Sequence, residues 1–178
     1  CNNGVWDYPA NAHDVTWGAV AELNQRRWAV RYGFFAVPTE PDAVHLDGHV
    51  GDAHSHVAEI EYRFDLGNRP GKVALLGFWN RAQMGRFSDA LQNPLLGVDV
   101  ADVREYANKW GFGISWEQEL SDSIGCFARI GWNDGRTETL GFTDINRTVS
   151  FGLSIDGSTW KRADDKVGIA GVVNGISR

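Results

Sequence analysis

Between Lys109 and Asp134 the chain alternates twice. Trp110, Phe112, Ile114 and Trp116 are separated by Gly111, Gly113 and Ser115 and lead on to Glu117 and Glu119. Ile124, Cys126, Ala128, Ile130 and Trp132 are separated by Phe127, Arg129, Gly131 and Asn133. Side chains on a strand point to opposite faces in turn, so this spacing predicts two strands, each with an apolar and a mostly polar face. Ser121-Asp122-Ser123 is long enough only for a hairpin turn. Trp110 and Trp132 then meet at the end away from the turn. Indole combines an apolar body with one polar handle, which suits the boundary between a membrane and water.

The same period recurs along the chain. Residues 1–13 read as a loop. Strands are expected at Asp14–Leu23, Arg27–Phe35, His54–Phe64, Lys72–Arg81, the two arms of the hairpin, Phe142–Ile155 and Lys166–Val173. Trp28, Val30, Tyr32 and Phe34 oppose Arg27, Ala29, Arg31 and Gly33. Ala58, Ile60, Tyr62 and Phe64 oppose Glu59, Glu61 and Arg63. Val149, Phe151, Leu153 and Ile155 oppose Thr148, Ser150, Gly152 and Ser154. Lys72–Arg81 is apolar on both faces, so its orientation stays open. A turn cluster spans Gly67-Asn68-Arg69-Pro70-Gly71, and a short helix is expected near Phe87–Gln92 within the longest connection. Connections after the odd strands are compact, and those after the even strands are longer and more acidic. Eight strands of a length suited to a tilted span, with loops sorted by end, form the pattern of an outer-membrane barrel.

Composition narrows the choice. The 178 residues suit one domain, or part of a larger one. No apolar run reaches the ~20 residues of a membrane helix, which leaves strands as the means of spanning. The net charge of -6 without a basic tract argues against nucleic acid as a partner. Cys126 falls mid-strand on an apolar face and reads as a small hydrophobe. Cys1 stands at a terminus not preceded by Met, and both ends read as cuts in a longer chain.

The run from Gly111 to Arg178 resembles the carbohydrate-selective porins of Gram-negative outer membranes, the OprB-like family. The residues that carry the resemblance are Phe127-Ala128-Arg129 with Gly131-Trp132-Asn133-Asp134-Gly135, then Phe142-Thr143-Asp144-Ile145-Asn146-Arg147, and Asp164-Asp165 through Gly175-Ile176-Ser177-Arg178. Earlier, Asn80-Arg81-Ala82-Gln83-Met84-Gly85 and Tyr32-Gly33-Phe34-Phe35 fit it too. The resemblance implies a sixteen-stranded barrel in the outer membrane that lets sugars diffuse passively, with no catalysis and no cofactor. Residues 1–178 would form a single segment of that barrel, short of its N-terminal strands and of the terminal strand with its closing aromatic. Outer-membrane lipid and permeating sugars are the expected partners; oligomeric state is left open.

With apolar stripes facing lipid, the lumen candidates are Arg27, Arg31, Glu59, Glu61, Arg63, Glu117, Glu119, Phe127, Arg129 and Asn133. The lipid-facing and aromatic-belt candidates are Trp28, Tyr32, Trp110, Phe112, Ile114, Trp116 and Trp132. Mixed Arg and Glu offer a transverse field and many hydrogen-bond partners to hydroxyl-rich solutes, and Phe127 offers a flat surface to a sugar ring.

Other chemistry is weighed against this. Glu117 and Glu119 share a face at roughly 7 Å, near the separation of paired glycosidase carboxylates, but catalytic pairs flank a substrate from two sides. Gly48-x5-His54-x-His56-x4-Glu61 nearly matches a cupin metal motif, which keeps a soluble cupin-like or lectin-like barrel as the alternative. However, no histidine follows His56, and Glu61 would face away from both imidazoles. His45 and His49 lie in the preceding loop. Asp99, Asp102 and Glu105, with Asp42, Asp47 and Asp52, form acidic rims without a fixed calcium signature.

Overall fold

A strand with one apolar and one polar face is stable only where each face meets a matching environment. The computed structural model, which describes residues 4–92, 97–141 and 144–176, pairs eight such strands antiparallel in chain order. They are β1 (Gly18–Asn24), β2 (Trp28–Phe35), β3 (His54–Leu66), β4 (Arg69–Gly85), β5 (Arg104–Ser121), β6 (Ile124–Asn133), β7 (Arg147–Asp156) and β8 (Lys166–Gly175). The sheet is open, with β1 and β8 as its edges.

Several boundaries differ from those expected. β1 starts at Gly18 rather than Asp14, because Asp14 takes a left-handed backbone, φ 59°, that no strand continues through. β4 and β5 are longer than expected and pair down to Gly85 and Arg104, beyond the apolar alternation that marks them in sequence. The turn after β3 is only Gly67-Asn68, both at positive φ, as a two-residue hairpin of matching twist requires. Pro70 therefore lies inside β4. It is tolerated because β4–β5 pairing begins only at Gly71, so its missing N–H deprives no partner on that side. Regular β7 begins at Arg147, and the expected start at Phe142, like Thr143 and Cys1, lies outside the described residues. A helix of one turn, α1 (Phe87–Leu91), forms where expected.

Register settles the faces. Leu23, Val30, Ile60, Leu75, Ile114, Ile130, Val149 and Val173 form one continuous row across all eight strands. Every member is an exposed aliphatic. The row also resolves β4, whose Val73 and Leu75 face outward and whose Ala74 and Leu76 face inward. On the loop side of the row lie Tyr32, Phe112 and Trp132, then Trp79 and Trp110. On the turn side lie Trp28, Tyr62, Trp116 and Phe151. Trp110 and Trp132 meet edge to face at 4.9 Å. An aliphatic band between two aromatic girdles is the surface a bilayer requires of a barrel.

Buried groups gather on the opposite face, at the long-loop end. Val57, Leu76 and Phe78 pack there against Trp6 and Phe35. Val37, Ala53, Ala82, Met84, Ala107 and Leu140 form a second cluster. The cover comes from loops 36–53 and 134–141 and from the N-terminal stretch, whose Val5 and Asp7 are both 2% exposed. Residues 4–13 form no helix or strand, as expected of a loop, and the structure adds that this loop docks on the inner face.

Candidate functional site

The inner face divides into a packed region beneath the loops and an open polar wall toward the turns. Two strands carry the dipeptide Trp-Asn, and both use it alike. Trp79 and Trp132 point outward into the girdle while Asn80 and Asn133 point inward. Asn80 Nδ2 donates to the carbonyl of Asp7 at 2.8 Å and to its carboxylate at 3.2 Å. Ser55 Oγ donates to Asn80 Oδ1 at 2.7 Å. Asn133 Nδ2 donates to the Val5 carbonyl at 2.9 Å and to that of Ile145 at 3.1 Å. The backbone N–H of Leu140 donates to Asp7 Oδ1 at 2.8 Å, which ties loop 134–141 to the same segment.

Lys109 is fully buried on this face, and its ammonium donates to the Thr137 and Glu138 carbonyls, each at 3.2 Å. Burial pushes the Asp7 carboxyl up to about 6, against the pull of Lys109 and of hydrogen bonds from Leu140 and Asn80. Burial likewise raises Asp134, again opposed by Lys109. Glu138 goes the other way: burial would raise it, but hydrogen bonds from Arg104 and the Gly85 N–H outweigh that and hold it below the usual range. Arg104 also reaches Glu40 at 2.6 Å, so one guanidinium clamps two loops.

Toward the turns the wall is charged. Arg31 contacts Glu22 at 2.5 Å, Glu59 at 2.7 Å and Glu61 at 3.2 Å. Arg63 contacts Glu61 at 2.6 Å, and Lys72 contacts Glu117 at 3.1 Å. Three carboxylates against two guanidinium groups leave the β1–β3 wall with an acidic excess. Opposite in the sheet, on β6, the Arg129 guanidinium lies 4.9 Å from the centroid of Phe127.

Of the expected lumen residues, Arg31, Glu59, Glu61, Arg63, Glu117, Phe127, Arg129 and Asn133 occupy inner-face register positions. Arg27 precedes β2 and is exposed at the turn. Glu119 also lies at the turn end, held by Arg69 at 2.8 Å, so it and Glu117 serve two separate cations. The expected outer residues Trp28, Tyr32, Trp110, Phe112 and Ile114 are exposed, while Trp116 and Trp132 are half-buried on the same face. Sequence reasoning did not find Asp7, Asn80 or Lys109. The repeated Trp-Asn pair was the available signal, since an amide beside a girdle tryptophan must face the interior.

The remaining candidates find ordinary partners. His54 and His56 start β3 on the outer face, with His56 stacked on Trp79 and bonded to Tyr32 Oη at 2.5 Å, while Glu61 faces inward. Asp99 and Asp102 cap a short 3-10 turn, Val100–Val103. Glu105 pairs with Arg86 at 3.3 Å, and Asp47 holds His49 at 3.0 Å and Tyr106 at 3.1 Å. Among the described residues no three His, Cys, Asp or Glu gather as a metal site. Cys126 is a buried free thiol.

The family described as carbohydrate-selective porin, OprB family, matches residues 2–178. The fold is similar to that of a solved OprB from Pseudomonas putida, determined at high pH, with a TM-score of 0.69 at 15% identity. That match covers 88% of this chain and 39% of the other, so the chain spans well under half the length of the porin it resembles. No curated protein matches the sequence.

Proposed function

The chain belongs to the carbohydrate-selective porin family OprB, and on that premise we propose that its inner face is one wall of a water-filled channel for passive diffusion of sugars across an outer membrane. Residues 1–178 act as a segment of a larger barrel, and the β1 and β8 edges pair with further strands. An unpaired edge inside a bilayer leaves backbone groups unsatisfied at several kcal/mol each, roughly, so only a closed barrel is viable there. The outward surface is covered by lipid.

The observation that carries the proposal is the aliphatic row from Leu23 to Val173, flanked on both sides by aromatics and backed by a charged inner face. A soluble cupin-like or lectin-like barrel would bury that row and expose the Arg31 cluster. Transport here needs no bond making. Glu59, Glu61 and the Arg31 and Arg63 guanidinium groups exchange hydrogen bonds with a passing hydroxyl, and their opposed charges orient water across the path. The short turns face the periplasm and the long loops the exterior. The docked segment around Asp7 narrows the exterior half of the lumen.

The test is liposome swelling with the full-length protein. Neutral hexoses should enter and larger oligosaccharides should enter more slowly. Vesicles that stay impermeable to hexoses while the protein is inserted would overturn the reading.

A further inference from the structure

We propose that Arg129 forms a subsite for the carboxylate of sugar acids, so that this wall favours hexuronates and hexonates over neutral hexoses of the same size. The inference rests on the channel reading and names a substrate class within it.

The inner-face strand positions carry six basic side chains, and five are already engaged. Arg31 and Arg63 hold carboxylates, as do Lys72 with Glu117 and Lys166 with Asp156 at 3.1 Å. Lys109 is capped by two carbonyls. Arg129 is different: among the described residues it has neither a hydrogen-bond nor an ion-pair partner, and its Nε is buried without one. A desolvated guanidinium donor left unmatched costs free energy that an incoming anion recovers.

The surroundings fit such an anion. Arg129 borders a cavity of about 300 Å³, lined also by Phe127, Thr148, Ser150, Asn174 and Ile145. Ser150 sits directly across from Arg129 in the register, with its hydroxyl on the same face. Thr148 Oγ1 donates to Asn174 Oδ1 at 2.7 Å, so the Asn174 amide N–H groups stay available for sugar hydroxyls. Phe127 steadies the guanidinium from one side. The ring has room to lie there because β7 carries Gly152, where any Cβ would collide with it. The nearest acid in register terms, Glu117 beside Phe127, is committed to Lys72. The carboxylate excess on β1–β3 lies across the sheet and repels the same anion toward Arg129.

The experiment compares glucuronate and glucose flux through the full-length protein in liposomes, with the sodium glucuronate reversal potential in planar bilayers. Arg129→Gln removes the charge. Ser150→Asp leaves Arg129 intact but gives it the partner that the other arginines have. Both should lower the glucuronate-to-glucose flux ratio by about fivefold, the scale of one half-exposed ion pair, while glucose flux persists as the sign of an assembled barrel. If Arg129→Gln also loses glucose flux, the Ser150→Asp ratio decides. An unchanged ratio in an assembled variant overturns the subsite but leaves the channel standing. Wild-type protein that passes neither solute overturns the channel reading and the subsite with it.

Discussion

Asn80 holds Asp7 twice, through the backbone carbonyl at 2.8 Å and through the carboxylate at 3.2 Å. A β4 side chain thereby fixes a stretch more than seventy residues earlier against the inner face. Replacing Asn80 by Ala should release that stretch, leaving Ser55 Oγ and the Asp7 carbonyl without partners at a cost of about 1–3 kcal/mol. Limited proteolysis should then cut within residues 4–13 while the strands stay protected.

The same contact carries a pH dependence. Burial raises Asp7 from 3.8 to about 6. Between these values the docked segment binds a proton that the released segment does not. Docking therefore strengthens as pH falls below about 6 and weakens as pH rises through it, by on the order of 3 kcal/mol in full. Asp7→Asn should flatten the dependence. Trp6 fluorescence against pH in the two proteins is the measurement.

Ile114 lies in the centre of the outward aliphatic row, between Leu75 and Ile130. Ile114→Arg should destabilise the inserted barrel by about 2–4 kcal/mol, the cost of a cation near the bilayer midplane. Urea titration in lipid vesicles checks it. A substitution without effect would place the row away from lipid.

Arg31 stands among Glu22, Glu59 and Glu61. Arg31→Ala leaves three carboxylates close together on one wall. The channel should become more cation-selective, by severalfold in permeability ratio, because the local field gains net negative charge. Reversal potentials in a salt gradient report the change directly.

Gly152 is the floor beneath Phe127. Gly152→Val should displace the ring and with it the Arg129 guanidinium, at a cost of about 1–3 kcal/mol from overpacking. Urea titration of the full-length protein should show this loss, and Gly152→Ala should show a smaller one.

The outer face was legible because its central rows obey one rule. Every second residue from Trp110 to Trp116 and from Ile124 to Ile130 is apolar, and period 2 is local information. The strands of the hairpin, the short turns and the residue sets of the two faces could all be read from it. Pairing was not local. That Ile114 aligns with Leu75 and Ile130, or that Trp116 joins Trp28 and Tyr62 in a second girdle at the turn end, depends on register between strands far apart in sequence. The extensions of β4 and β5 escaped notice for a related reason: on β4 the apolar phase moves to the inner face, with Ala82 and Met84 buried between Arg81 and Gln83, and on β5 the stretch from Arg104 to Lys109 carries no apolar alternation.

The amino-acid order by itself determined a β architecture, an apolar stripe on each strand, and an opposite face of mixed Arg and Glu. Only the tertiary structure decided which charges are spent and which are free. Arg31, Arg63 and Arg129 look alike along the chain, each set between two apolar residues: Val30 and Tyr32, Tyr62 and Phe64, Ala128 and Ile130. In the sheet, Arg31 meets carboxylates from both neighbouring strands, Arg63 meets Glu61 two positions before it on its own strand, and Arg129 meets Ser115, Ser150 and the Phe127 ring. Charge pairing across strands is a property of register, and register is set by the whole sheet.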